Sequence, residues 1–138
     1  MMNKILIVFV FLVFFSEISA QTVSESDVLG SWKVERVNQA PSNSDFASVL
    51  DEFKKATFTF HKTGKFGFST TSDANEFLGL IDMFENTQWK FEKNNQLIRI
   101  GGDEDEYSIL GIYVERSNGA LNFHIDESGL KFVMTEAE

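Results

Sequence analysis

Trp32 and Val34 alternate with Lys33 and Glu35 within the stretch from Gly30 to Asn38, the two-residue period of a strand with one buried face. The same period returns in Phe58 and Phe60 against Thr57, Thr59 and His61, in Phe66 and Phe68 against Lys65, Gly67 and Ser69, and in Trp89 and Phe91 against Lys90 and Glu92. A fifth strand is expected from Gln96 to Gly101 and a sixth from Glu106 to Arg116, where Ile109, Leu110, Ile112 and Val114 are apolar in both phases and leave the facing open. Leu121, Phe123 and Ile125 against Asn122 and His124 mark a seventh strand, and Leu130, Phe132 and Met134 against Lys131 an eighth. Between the members of three pairs stand turn residues: Lys62 to Lys65 around Gly64, Asn94 with Asn95, and Asn118 with Gly119. The last is among the strongest hairpin signals a chain carries.

Two segments switch to a helical period. Phe46, Val49, Leu50 and Phe53 are spaced i, i+3, i+4, i+7 with charges at Asp45, Asp51, Glu52, Lys54 and Lys55 on the opposite side, which is an amphipathic helix. Ala74, Phe77, Ile81 and Phe84 repeat the pattern, and Asp73 with Glu76 predicts a capping box at its start. The chain therefore reads as all-β with two short helices: an eight-stranded antiparallel up-and-down barrel. In such a meander alternate connections share one end. The three tight turns then close one end, while both helices and the acidic stretches Asp103–Glu106 and Asp126–Gly129 gather at the other. Eight strands enclose an interior just wide enough for packed side chains or one small ligand.

At the N-terminus, Lys4 precedes an apolar run from Ile5 to Phe15 and a polar stretch ending at Ala20. That order is a signal peptide's, and the run is too short for a spanning helix. Residues 1–20 are expected to be removed, leaving residues 21–138 as one domain of an exported protein, periplasmic or extracellular. The chain has no cysteine, so neither a disulfide nor a lipid attached at a processed cysteine is expected, and no membrane anchor should remain after cleavage. The net charge of −9 is unchanged by cleavage, because Lys4 and Glu17 leave together. A surface of that sign repels phosphate backbones and anionic lipid, so no nucleic-acid partner is expected.

Gly30, Ser31 and Trp32 at the head of the first strand resemble the Gly-x-Trp motif of the lipocalins. The run from Val28 to Val34, the Phe-x-Phe pair ahead of Lys62, Thr63 and Gly64, and the Trp89 strand followed by Asn94 and Asn95 are similar to small lipocalin-like exported proteins common in Bacteroidota. The resemblance implies a calycin-type barrel whose motif tryptophan plugs the closed end, with a small hydrophobic molecule as the ligand class. This chain departs from the pattern in two places. Its eighth strand offers Lys131 on the outer phase where lipocalins place an arginine over the tryptophan, and no long helix follows that strand.

Candidate ligand-binding residues are given by the phases near the helix-bearing end: Arg36, Phe58, Phe68, Trp89, Ile100, Ile125 and Leu130. Arg36 shares the alternation of Trp32 and Val34. It reads either as an interior anchor for a carboxylate or as a cation reaching solvent along its apolar stem. The run Asp103 to Glu106 lacks the alternating spacing and central glycine of a calcium loop. His61 and His124 fall on polar phases without metal-ligand spacing. No nucleophile, base and orienting acid form a recognisable set, so no enzyme and no cofactor are expected. Two functions remain: binding of a small apolar or amphipathic ligand inside the barrel, or a filled barrel that serves as an extracytoplasmic interaction or structural module, with a protein partner left open.

Overall fold

The computed structural model describes residues 22–40 and 51–137. The segment 1–20 read as a signal peptide and most of the first predicted helix, including Phe46, Val49 and Leu50, lie outside these residues; within the helix's span, residues 51–53 are helical. A short helix α1 (Glu25–Val28) leads into eight strands, β1 (Gly30–Gln39), β2 (Ala56–Phe60), β3 (Phe66–Thr70), β4 (Gln88–Glu92), β5 (Leu97–Gly101), β6 (Leu110–Ser117), β7 (Ala120–Ile125) and β8 (Leu130–Glu136). Helix α2 (Asn75–Phe84) connects β3 to β4. Neighbouring strands pair antiparallel in the order β3-β2-β1-β8-β7-β6-β5-β4, a nearly closed barrel.

The alternation of apolar and polar residues decides which face turns inward. Ala56, Phe58 and Phe60 are buried while Thr57 and Thr59 are half-exposed, and Trp32, Phe66, Phe123, Phe132 and Met134 join them in one core. The sixth strand resolves its ambiguity with Ile112 and Val114 inward and Tyr113 outward. The barrel closes where β3 meets β4, and only weakly. One bridge, Lys65 to Gln88, links the two strands, supported by Phe66 N–H donating to Thr87 O (3.0 Å) and Trp89 N–H to Gly64 O (2.8 Å). Helix α2 covers the rest of this seam, its Phe84 ring packing on Phe66 and Phe68 at centroid distances of 5.4 and 5.6 Å.

The segment before β1, in which Ser24 and Asp27 form a capping box at the start of α1, is a plug at the hairpin end. Val23 and Val28 are fully buried. The Gln96 side-chain amide holds Val23 from both sides, accepting its N–H at 2.7 Å and donating to its carbonyl at 2.9 Å. Trp32 donates its indole N–H to Val28 O at 2.7 Å, and Arg116 meets Asp27 at 3.5 Å. The backbone N–H and then the hydroxyl of Ser24 hold the Asp27 carboxyl below its ordinary range.

Four expectations are corrected. The alternation of β1 fails after Val34: Val34 pairs with Met134 and Arg36 with Val133, so Glu35 is an extra residue and the phase slips. Such a bulge re-aims the side chains beyond it, and Arg36 is exposed while Val37 takes the inward position opposite Phe132. The sixth strand begins at Leu110, because Glu106 and Tyr107 both adopt left-handed backbone (φ 58° each) within the preceding loop. Gln96, also left-handed (φ 51°), ends the 3-10 turn Lys93–Asn95 and stands outside β5. Finally, α2 is capped by Ala74, whose N–H donates to Ser72 Oγ at 3.1 Å, so Asp73 is not its N-cap.

Candidate functional site

The end of the barrel opposite the plug is where a ligand would enter. Among the described residues its rim consists of the turn 51–55, the segment 71–74 ahead of α2, the loop 102–109 and the β7–β8 turn 126–129. Phe53 reaches in from the first of these, meeting Phe77 of α2 edge to face and Phe132 of β8 at a tilt, with ring centroids 4.9 and 5.0 Å apart. Glu52 beside it is held below the ordinary carboxylate range by the Ser72 hydroxyl and then by Lys55, whose Nζ lies 3.2 Å from Oε2. These contacts tie the end of the first helix to the start of the second.

Burial differs between the two ends. The hairpin end is sealed by Val23, Val28, Trp32 and Leu121, all within a few per cent of complete burial. At the helix-bearing end, Val37, Phe53, Phe68, Leu80, Ile109, Leu110 and Ile125 pack on the core yet stay partly exposed. Between the ends, ring packs on ring. Phe123 lies 6.5, 6.2 and 6.0 Å from Trp32, Phe58 and Phe60, Phe60 lies 5.3 Å from both Phe66 and Trp89, and Phe58 lies 5.4 Å from Phe68.

The predicted residues are spread over this arrangement. Phe58 and Phe68 touch edge to face, and Ile125 and Leu130 are direct register partners where β7 meets β8. Ile100 is fully buried opposite Trp89. Trp89 itself belongs to the seam rather than the mouth, because its indole N–H donates to His61 O, in the β2–β3 turn, at 2.9 Å. Arg36 lies outside the wall, so it is not an interior anchor for a carboxylate. Phe53, Phe77, Val37 and Leu110 belong to this end but were not among the predicted binding residues; Phe53 and Phe77 carry a signal, their helical spacing, that points them at the barrel.

The acidic loop is organised around one carboxylate. Asp105 Oδ1 accepts the N–H groups of Gly102 (2.9 Å), Tyr107 (3.0 Å) and Ser108 (3.4 Å), which stabilises the two left-handed residues there. Among the described residues no group of His, Asp and Glu side chains converges as a metal site. On the outer wall, Arg99 Nε donates to Glu92 Oε1 at 2.9 Å, and this contact with that of Asn95 holds the Glu92 carboxyl low.

A nearly closed eight-stranded antiparallel barrel with a helix-covered end is consistent with a lipocalin-like fold. Set against known proteins, the chain matches no family model, no curated protein and no solved structure.

Proposed function

We propose that the protein is an exported lipocalin-like binding protein that takes a small apolar or amphipathic molecule at the helix-bearing end of its barrel. The observation that carries this reading is the asymmetry of burial: Val37, Phe53, Phe68, Leu80, Ile109, Leu110 and Ile125 remain partly exposed at that end, against Leu29 and Phe91 at the plugged end. Because aromatic rings occupy the middle, the ligand would sit high, against Phe68, Leu110 and Ile125, with Phe53 and Phe77 as the groups that must yield. The acidic rim favours a neutral or cationic ligand over an anion on approach. Titrating the processed protein with a neutral fluorescent naphthylamine tests it. Saturable one-to-one binding that is blocked by Ile125→Trp is expected, and an unchanged response in that variant would move the ligand elsewhere.

A second reading draws on the contacts between interior rings. If they fill the barrel completely, the protein is an extracytoplasmic interaction module without a small ligand. Absence of any bound molecule in native mass spectra of protein from its own host, together with no response to neutral, cationic or anionic probes, is the outcome that selects it.

A further inference from the structure

The outer wall of β5, β6 and β7 carries a row with an empty centre. Arg99 pairs with Gly111. Asp126, one step beyond the Ile112–Ile125 pair, donates its N–H to Gly111 O at 2.9 Å. Strands stand about 4.8 Å apart, so Arg99, its Nε turned to Glu92 on β4, and Asp126 flank a position with no side chain. The backbone does not require glycine there, as Gly111 has no left-handed φ, and a Cβ would meet Asp126 Cβ at 3.4 Å and Leu97 Cδ1 at 3.5 Å. Glycine inside a strand weakens it and often marks close approach of another group.

The missing side chain leaves a groove of about 230 Å³, bordered by Tyr107, Tyr113 and Glu127. Its floor is Leu97, an outer-face residue only 4 % exposed, whereas Tyr113 beside it is 40 % exposed. Arg99 is already neutralised by Glu92, and among the described residues no ion pair forms across the groove to Asp126. The lining therefore offers guanidinium donors, carboxylate acceptors and an aromatic surface next to one another. A ligand that complements all three has adjacent hydroxyl groups on a ring with an apolar C–H face.

We propose that this groove is a saccharide-binding subsite, with vicinal hydroxyls held between Arg99 and Asp126 and the sugar's C–H face on Tyr113 and Leu97. It opens on the outer wall, and its upper edge, Ile109, Leu110, Asp126 and Glu127, adjoins the rim of the helix-bearing end. The test is two-dimensional NMR of the processed protein titrated with neutral mono- and oligosaccharides, namely glucose, galactose, mannose and N-acetylglucosamine with their short oligomers. Saturable shifts centred on Gly111, Tyr113 and Asp126, with Kd near about 1 mM or tighter, are expected for at least one of them. Gly111→Val, which fills the groove, and Asp126→Asn, which removes a charged acceptor, should each weaken binding by about tenfold or more while retaining the wild-type spectrum elsewhere. No saturable shift with any sugar overturns the proposal. So does binding that survives both substitutions, or shifts at this site produced by zwitterionic amino acids but by none of the sugars.

Discussion

Replacing Trp32 measures how much of the stability resides at the plugged end. The side chain is 6 % exposed and its ring stands 6.5 Å from Phe123 at the centre of the barrel. Its indole N–H also holds Val28 O at 2.7 Å. Trp32→Ala should therefore cost about 3–5 kcal/mol, the range for truncating a core aromatic. Trp32→Phe keeps most of the apolar contact and removes the donor, so it should cost about 1–3 kcal/mol, mostly for a carbonyl that loses its partner. Against a total stability of about 5–15 kcal/mol the first substitution is severe and the second tolerable. The chain has two tryptophans, so in either variant Trp89 alone reports urea unfolding by fluorescence. With a slope of about 1–3 kcal/mol per molar urea, the alanine variant should lose at least about 1 M in midpoint. A loss below about 1 kcal/mol for Trp32→Ala would refute the packing argument. Equal losses for alanine and phenylalanine would mean that the hydrogen bond, not the ring, carries the effect.

Gln96→Ala should cost about 1 kcal/mol and raise hydrogen exchange at the Val23 amide selectively, since that amide loses its acceptor. Asp105→Ala should destabilise by about 1–3 kcal/mol in thermal or urea unfolding, because three N–H groups lose one acceptor, with Asp105→Asn milder. Asp27 has a lowered native pKa, so its contribution is complete above the ordinary carboxylate value and is lost as the pH falls from there through the native value. Acid unfolding of Asp27→Asn should accordingly show a shallower loss of stability over that interval than wild type.

Most of the wall was legible because its residues are unambiguous: the Phe-x-Phe pairs of β2 and β3 and the Leu-Phe-Ile phase of β7 turn in the direction that alternation predicts. Glu35 hid its bulge because an extra charged residue among charged neighbours leaves the hydrophobic pattern intact up to Val34, and Arg36 has a stem long enough to suit either face. The start of β6 was hidden for another reason. Left-handed backbone is usually announced by glycine or asparagine, whereas here Glu106 and Tyr107 adopt it under the control of Asp105, a contact that only the folded loop supplies. The docking of the plug was illegible because it depends on contacts distant in sequence, from Gln96, 73 positions away, and from Arg116. At the candidate site, phase placed Phe58, Phe68, Ile125 and Leu130 correctly in the interior, but phase says nothing of height along the axis, and so Trp89 was assigned to the wrong level.

The pairing of β1 with β8 has a bearing on time as well as shape. These are the first and last strands of the barrel, joined from Trp32 opposite Glu136 to Gln39 opposite Lys131. A ribosome delivers the chain N-terminus first, so β1 emerges with β2 as a partner on one side and nothing on the other. Six more strands must be delivered before its second edge is satisfied, and the wide loop this closes makes the step slow. Until Glu136 arrives, β1 keeps one row of amides uncovered beside Trp32. The last strand of the barrel to be made is thus the one that covers the first, and a chain lacking Lys131–Glu136 would leave its oldest strand waiting for a partner.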